Sequence, residues 1–147
     1  MSDIRKVAQY FLSKGSMSHK KLQKLCYYAQ AWYLANYGKP LMPNRFEAWV
    51  HGPVSPDLYS MYRDWGWVNI PKRETCPTVP QNEKKLMDSV FNVYGRYTAD
   101  ELESMTHQEE PWKNARQGCA PSAYSRNPIS MKDMRDYYGG RIVKKYE

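Results

Sequence analysis

The chain contains few of the residues and patterns that mark metal binding or catalysis. Its three cysteines stand far apart without a CxxC pair, so a structural zinc site is not expected. No two histidines have metal-ligand spacing, and P-loop, GxGxxG and nucleophile motifs are absent. We therefore expect no metal, no cofactor and no enzymatic activity. The residues concerned are Cys26, Cys76, Cys119, His19, His51 and His107.

Long apolar runs and a secretory signal are also missing. No stretch approaches the length of a transmembrane helix, and the first residues lack the pattern of a signal peptide. The odd number of scattered cysteines is typical of a protein in a reducing compartment. These observations predict a cytoplasmic protein without a membrane partner.

The composition predicts one folded, basic domain. The 147 residues carry 22 Lys and Arg against 15 Asp and Glu, which gives a net charge of +7. Aromatic residues make up 14% of the chain, and such a share argues against disorder. We expect a single domain over residues 1–147 with a basic, exposed tail from about residue 140. The charge favours nucleic acid or an acidic protein as partner without deciding between them.

Apolar spacing and capping residues predict a mainly α fold, a compact single-domain helical bundle. His19 to Tyr37 is the clearest helix, and Gly38 ends it. Thr98 and Glu101 have the spacing of a capping box for a later helix. The other predicted elements are helices over residues 3–14, from 56 onward, 82–97 with Asn82 as cap, 110–118 and 131–138, and a brief strand at 67–70.

The centre of the chain is predicted to hold a small β element, at about residues 45–70. Alternating apolar residues favour a short strand over residues 46–50, with Glu47 on its outward side. Gly52 allows unusual backbone geometry before a proline and predicts a tight corner. Ser55 is a suitable N-cap for the helix that follows.

Three tryptophans in this region, Trp49, Trp65 and Trp67, are candidate contacts with a partner. Aromatic side chains often dominate interfaces, and a small core does not readily satisfy every indole N–H. Burial in the core is the alternative for each of them. His51 is either a functional side chain aimed by the corner or a hydrogen-bonded structural histidine, and the structural role is favoured. A structural role is favoured for His107 as well, near a helix end.

Basic and aromatic residues are interleaved early in the His19–Tyr37 helix. Such a pattern binds single-stranded nucleic acid in some proteins. The alternative, which we favour, is a solvated helix face whose tyrosines border the core. The residues are Lys20, Lys21, Lys24, Tyr27 and Tyr28, of which Lys24 and Tyr27 are expected to be exposed.

Several segments together resemble the Panacea-domain proteins. The helical segment KLQKLCYYAQAW begins at Lys21, and GKPL begins at Gly38. FEAW and HGPV follow from Phe46 and His51, and LESMTH, PW and AR continue the pattern in residues 102–116. The order and spacing agree over most of the chain. His51 departs from the pattern, because an aromatic residue is common there.

The resemblance implies a compact, mainly helical domain and a role as an antitoxin. The family includes SocA-like antitoxins and phage-associated proteins. Many members neutralise a toxin encoded beside them by direct binding, and SocA-type members are linked to protease-mediated toxin turnover as adaptors. The residues that belong to the family motifs are Leu22, Leu25, Tyr28, Trp32, Gly52, Pro53, Val54, Tyr59, Thr106, His107, Pro111 and Trp112.

We consider three hypotheses for the function. The first is a non-enzymatic antitoxin that binds a cognate toxin encoded nearby, in a toxin–antitoxin or phage-associated setting, with protease machinery as a further partner. The second is a nucleic-acid-binding regulator, motivated by the net charge. The third is a hydrolase or transferase that uses His51, His107 or Cys119. The candidate contacts for the first hypothesis are Trp49, His51, Trp65, Trp67, Lys24 and Tyr27.

Overall fold

The computed structural model describes residues 1–139, and the basic tail predicted from about residue 140 lies outside them. This part contains seven α-helices, a two-stranded sheet and a 3₁₀ turn, which confirms the mainly α class. None of these helices is long and apolar enough to cross a membrane. The elements are α1 (Ile4–Leu12), α2 (His19–Tyr37), β1 (Glu47–Trp49), β2 (Gly52–Val54), α3 (Pro56–Tyr62), the 3₁₀ turn (Arg63–Trp65), α4 (Gln81–Tyr94), α5 (Ala99–His107), α6 (Glu110–Ala115) and α7 (Met131–Gly139).

Helix α2 is the centre of the fold. Ser18 caps its first turn by accepting a hydrogen bond from a backbone N–H, and Gly38 ends it in the left-handed conformation. The helix contacts α1, α3, α4, α5, α7 and β2. Every residue from Leu22 to Leu34 is buried, so the helix has no solvent-facing side over these turns. The predicted solvated face is therefore wrong.

Aromatic rings fill the space between α2, α4 and α7. Tyr28 stacks on Tyr94 with the ring centroids 3.8 Å apart. Tyr138 of α7 packs edge-on against Tyr27 and Tyr28 and donates a hydrogen bond to the Glu109 carboxylate at 2.6 Å. Burying such large rings stabilises the fold strongly, which explains why a chain with a mean hydropathy of −0.83 has a substantial core.

The small β element predicted at about residues 45–70 is confirmed as an antiparallel hairpin. Glu47 of β1 pairs with Val54 of β2, and Trp49 pairs with Gly52. Strand β2 therefore occupies residues for which the sequence predicts a corner. The hairpin turn lies directly before Gly52, so the residues from Gly52 onward pair as a strand.

Two details of this element differ from the prediction. The segment 67–70 forms no strand, only an isolated bridge between Met17 and Ile70. Glu47, which was expected on the outward side, is 4% exposed. It is buried because its carboxylate accepts hydrogen bonds from the side chains of Arg45 and Trp49.

Local capping explains most of the helix starts. Ser55 caps α3, and Thr98 with Glu101 forms the predicted capping box at α5. The predicted Asn82 cap is wrong, because α4 begins one residue earlier, directly after Pro80. Proline sets the backbone before the first turn there, and no side chain caps it.

Candidate partner-binding site

Two polar side chains of α2 fix the hairpin to the central helix. Gln23 donates a hydrogen bond to the Ser55 carbonyl oxygen at 3.2 Å and accepts one from the Ser55 N–H at 2.8 Å. Lys24 donates from Nζ to the Pro53 carbonyl oxygen at 3.1 Å. Both side chains are buried, so water does not compete for these bonds. Strand β2 and the start of α3 are held in a defined position.

Gly52 makes this close approach possible. Its φ of +105° lies in the region that favours glycine. A Cβ at this position would lie 2.6 Å from Lys24 Cε and 3.0 Å from Thr106 Oγ1. The glycine is therefore the point where α2, α5 and the hairpin meet without room for a side chain.

A pocket of about 300 Å³ opens beside the hairpin, and we call it the aromatic pocket. Its volume lies at the lower end of the range for ligand sites and suits one or two amino-acid side chains. Helix α2, β2, α3 and the segment up to Trp67 all contribute to it. Its lining residues are His19, Lys20, Gln23, Lys24, Trp49, His51, Val54, Tyr59, Arg63, Gly66 and Trp67.

Aromatic rings form the walls of this pocket. The rings of Trp49 and Tyr59 lie 5.0 Å apart, and those of His51 and Trp67 meet edge-on at 6.4 Å. Trp67 is 75% exposed and Tyr59 39% exposed. Exposed rings of this size, grouped around a concavity, are typical of an interaction surface. Four of the six predicted contacts, Trp49, His51, Trp67 and Lys24, thus line one pocket.

The orientation of Trp49 is fixed by its neighbours. Its Nε1 donates a hydrogen bond to Glu47 Oε1 at 2.8 Å, and the Arg126 guanidinium lies 5.2 Å from the ring centroid. Burial would raise the pKa of the Glu47 carboxyl, but hydrogen bonds from Trp49, Arg45 and Arg126 lower it below its ordinary value. The ring is therefore held beside a stable carboxylate.

Helix α6 anchors the hairpin from behind. The Trp112 indole donates a hydrogen bond to the Trp49 carbonyl oxygen at 2.8 Å. The buried Arg116 guanidinium donates to the Ala48 carbonyl oxygen at 3.1 Å and to three carbonyl oxygens in residues 120–123. Its carbon Cζ lies 4.6 Å from the Trp112 ring centroid. A single side chain thus connects α6, β1 and the loop after α6.

The charged side chains that line the aromatic pocket are basic. Burial, together with nearby Lys20, lowers the pKa of Lys24 to about 7. Burial, with a contribution from Lys24, lowers the pKa of His19 to about 4, so His19 is neutral at physiological pH. No Asp or Glu of residues 1–139 lines this pocket. Its electrostatics therefore suit an anionic group.

Glu103 on α5 connects residues at the edge of the pocket. Its carboxylate forms an ion pair with Lys20 and lies 3.1 Å from His51 Nδ1 and 3.9 Å from His107 Nε2. Burial alone would raise the pKa of Glu103, whereas the bonds with Lys20 and His51 lower it. The His107 ring stacks on Trp112 with centroids 4.0 Å apart. Both histidines thus have structural partners.

The structure brings together two of the histidines considered in the enzyme hypothesis, but in the part of the chain that it describes it places no nucleophile in hydrogen-bond contact with them. His51 and His107 share the Glu103 carboxylate, while Cys119 lies exposed in the loop after α6. Within residues 1–139, no Ser, Thr or Cys side chain forms a hydrogen bond with either histidine. The same part of the chain contains no group of His, Cys, Asp and Glu side chains suited to a metal ion. What the two histidines share is the Glu103 carboxylate.

The exposure predicted for Lys24 and Tyr27 is wrong. Lys24 is 1% exposed and Tyr27 is fully buried, because α2 is packed on all sides. Lys24 lines the pocket from within, whereas Tyr27 packs against Phe46 and Tyr138 in the core. Trp65 is 40% exposed but does not line the pocket.

The other lysines of the basic cluster are also bound within the fold. Lys20 pairs with Asp100 at 2.7 Å, and the Lys21 ammonium donates to the Gly95 carbonyl oxygen at 2.6 Å. They connect α2 to α5 and to the end of α4. The three lysines that motivated nucleic-acid binding therefore all have partners within the fold.

Most residues of the family motifs lie in the core. Ten of them are buried: Leu22, Leu25, Tyr28, Trp32, Gly52, Pro53, Val54, Thr106, Pro111 and Trp112. His107 is partly buried, and Tyr59 is the exposed member, in a pocket wall. Sequence reasoning missed four residues that shape the site, namely Gln23, Arg63, Glu103 and Arg116. The motifs therefore specify mainly the scaffold that positions the pocket.

Replacing Lys24 with Met is expected to stabilise the protein by about 2 kcal/mol at pH 6. The folded ammonium has a pKa of about 7, against 10.5 in the unfolded chain. The unfolded state thus binds more protons between these values, so wild-type stability rises with pH there and the advantage of the variant shrinks towards pH 10. Urea denaturation of both proteins at several pH values measures this.

Lys21→Met is the matched control for this prediction. It removes a lysine three positions earlier, whose bond to Gly95 lies outside the pocket. It should not stabilise the protein. A Lys24→Met variant less stable than wild type at pH 6 would contradict the buried-charge account.

These features define a mainly helical domain with an aromatic, basic pocket mounted on a hydrogen-bonded hairpin. The family model described as antitoxin SocA-like, Panacea domain, matches residues 22–113, which include α2 from its second turn, the hairpin and most of the pocket. A curated relative, antitoxin SocA of Caulobacter vibrioides (strain NA1000 / CB15N), is 30% identical, over 75% of this chain and 68% of the relative. The chain belongs to the SocA-like antitoxin family with a Panacea domain, and the family resemblance seen in the sequence is confirmed. No solved structure matches the chain.

Proposed function

We propose that this chain is a cytoplasmic, non-enzymatic antitoxin that neutralises a protein toxin encoded nearby by binding it with the aromatic pocket and its rim. Family membership supports the antitoxin role, and a relative named as an antitoxin supports a toxin as partner. The observation that carries the binding mode is the group of partly exposed rings, Trp49, Tyr59 and Trp67, around one concavity.

The rigid support of the pocket fits a binding surface. Trp49 is held by Glu47 and Arg126, and its backbone is bonded to Trp112. A surface that is already ordered loses little conformational entropy on binding, so more of the contact energy appears as affinity. Because Lys20 is already paired within the fold, a protein partner is favoured over nucleic acid.

The proposed mode of action is binding alone. Delivery of the toxin to a protease would require a second surface for the protease, and we assign none among residues 1–139. The proposed binding would neutralise the toxin by covering its active site or its substrate-binding surface.

Replacing Trp67 with Ala is expected to weaken toxin binding about tenfold or more and to restore toxicity on co-expression. Trp67 is 75% exposed, so its removal should leave the fold intact. The measurement is the affinity for the purified product of the adjacent gene, with the growth of co-expressing cells as the second readout. Thermal unfolding of the variant verifies the fold.

Tyr37→Ala is the matched control, since Tyr37 is 42% exposed at the far end of α2 from the pocket. It should bind the toxin as wild type does. Equal affinities of the Trp67 variant and wild type would refute the proposed surface. A neighbouring product that is harmless alone, or that stays toxic in the presence of this chain, would refute the function itself.

A further inference from the structure

We propose that the aromatic pocket binds a carboxylate side chain of the toxin, an Asp or Glu beside an apolar residue, with Lys24 as its counter-ion. This inference rests on the proposed function and names the chemistry that the pocket recognises. It is carried by a buried lysine without a carboxylate partner, by apolar walls around it, and by the basic character of the remaining lining.

Lys24 is a buried cation that the fold leaves incompletely paired. Its ammonium donates to the Pro53 carbonyl oxygen, and among residues 1–139 no carboxylate oxygen lies within 4 Å of it. An ammonium has three N–H donors, so two lack a strong acceptor. A buried charge is costly unless it is paired. A carboxylate that enters the pocket would supply the missing pair.

The charged neighbours of Lys24 leave this position open for a ligand. Glu103 on α5 attracts it, but Glu103 Oε1 already binds Lys20 and His51, and Oε2 lies 3.9 Å from His107 Nε2. Lys20, on the same helix, repels the Lys24 ammonium. The neutral His19 and the partly buried His107 also lie close enough for the Lys24 charge to affect them. The local balance around Lys24 is therefore basic.

The walls select a carboxylate that is flanked by apolar groups. Trp49, Tyr59 and Val54 present carbon surface towards the pocket, which favours the methylene groups of Glu or an adjacent aliphatic residue. Arg63 at the rim is exposed, and its one ion-pair partner within residues 1–139 is the exposed Asp64, at 3.9 Å. It adds a second cation at the entrance. The net charge of +7 likewise favours an acidic partner surface.

The first experiment uses propionate, which is the glutamate side chain detached from its backbone, and propionamide as its uncharged counterpart. NMR of the lysine Cε signals in the full chain follows both titrations. Propionate should shift the Lys24 signal and raise the pKa of its ammonium by about one unit or more. Propionamide should do neither, and the Lys24→Met variant should lose the propionate response at the pocket. Chloride at equal ionic strength controls for screening.

The second experiment measures affinity for the product of the adjacent gene. Lys24→Met should weaken binding about 30-fold, because a desolvated ion pair is lost, whereas Lys21→Met should have no effect. Asp→Asn and Glu→Gln substitutions over the toxin surface should reveal one residue with a similar loss. In a double-mutant cycle, that loss should disappear in the Lys24→Met background.

The outcomes separate this inference from the proposed function. If Trp67→Ala weakens toxin binding while Lys24→Met binds normally, the inference is wrong and the proposed surface stands. A loss on Lys24→Met that couples to no acidic toxin residue also overturns the inference. If propionate binds at Lys24 but the toxin does not bind the wild-type chain, the proposed function fails while the pocket chemistry holds. Absence of any propionate effect on Lys24 overturns the inference alone.

Discussion

Substituting Gly52 by Ala is expected to lower the free energy of unfolding by about 3 kcal/mol. The backbone φ of +105° is unfavourable for any residue with a Cβ, and that Cβ would lie 2.6 Å from Lys24 Cε. Neither neighbour withdraws freely, because Lys24 is bonded to Pro53 and Thr106 Oγ1 to the Glu103 carbonyl oxygen. The variant must move the hairpin away from α2 or strain both side chains.

Urea denaturation followed by circular dichroism measures the effect. Gly15→Ala is the control, because Gly15 has no atom within 4 Å of an added Cβ and lacks a positive φ. That variant should stay within about 0.5 kcal/mol of wild type. A Gly52→Ala protein as stable as the Gly15→Ala protein would show that the hairpin does not need the close approach.

The second large effect is expected at Arg116, where Met should destabilise the protein by about 4 kcal/mol. The guanidinium supplies donors to the Ala48 carbonyl oxygen and to three carbonyl oxygens of residues 120–123. Methionine has no donor, so these carbonyl oxygens lose their partner. The variant also loses the cation–π contact with Trp112.

Replacement by Met is expected to stabilise the protein at Lys24 but to destabilise it at Arg116. Both are buried cations, but Lys24 serves one carbonyl oxygen and Arg116 serves several. Denaturant unfolding gives the stability, and hydrogen exchange of the 118–125 amides should show local opening in the Arg116 variant. Arg135→Met, at an exposed surface position, is the control and should be nearly neutral. Equal stability of the Arg116 and Arg135 variants would contradict the anchoring role.

The sequence predicts the local elements well, because caps act over three or four residues. The bounds of α2, the Ser55 cap and the capping box of Thr98 with Glu101 follow from side chains adjacent to the helix ends they stabilise. The hairpin strand β2 was missed because its pairing depends on a turn with no common turn motif.

The burial of Lys24 could not be read from helical periodicity, because a helix packed on every side shows no apolar stripe. One signal was present. No charged residue occurs from Leu25 to Tyr37, which indicates that most of this helix is enclosed. The role of Arg116 had no such signal, since its partner Ala48 lies 68 residues away in the chain.

The position of α7 affects when the protein can complete its folding during translation. Tyr138 covers Tyr27 and Tyr28, so the central helix remains uncovered on that side until nearly all of the described chain has left the ribosome. A ribosome that stalls before Met131 would release a chain with aromatic surface open to aggregation and to proteases. The amount of active protein is therefore expected to track completed synthesis rather than initiation.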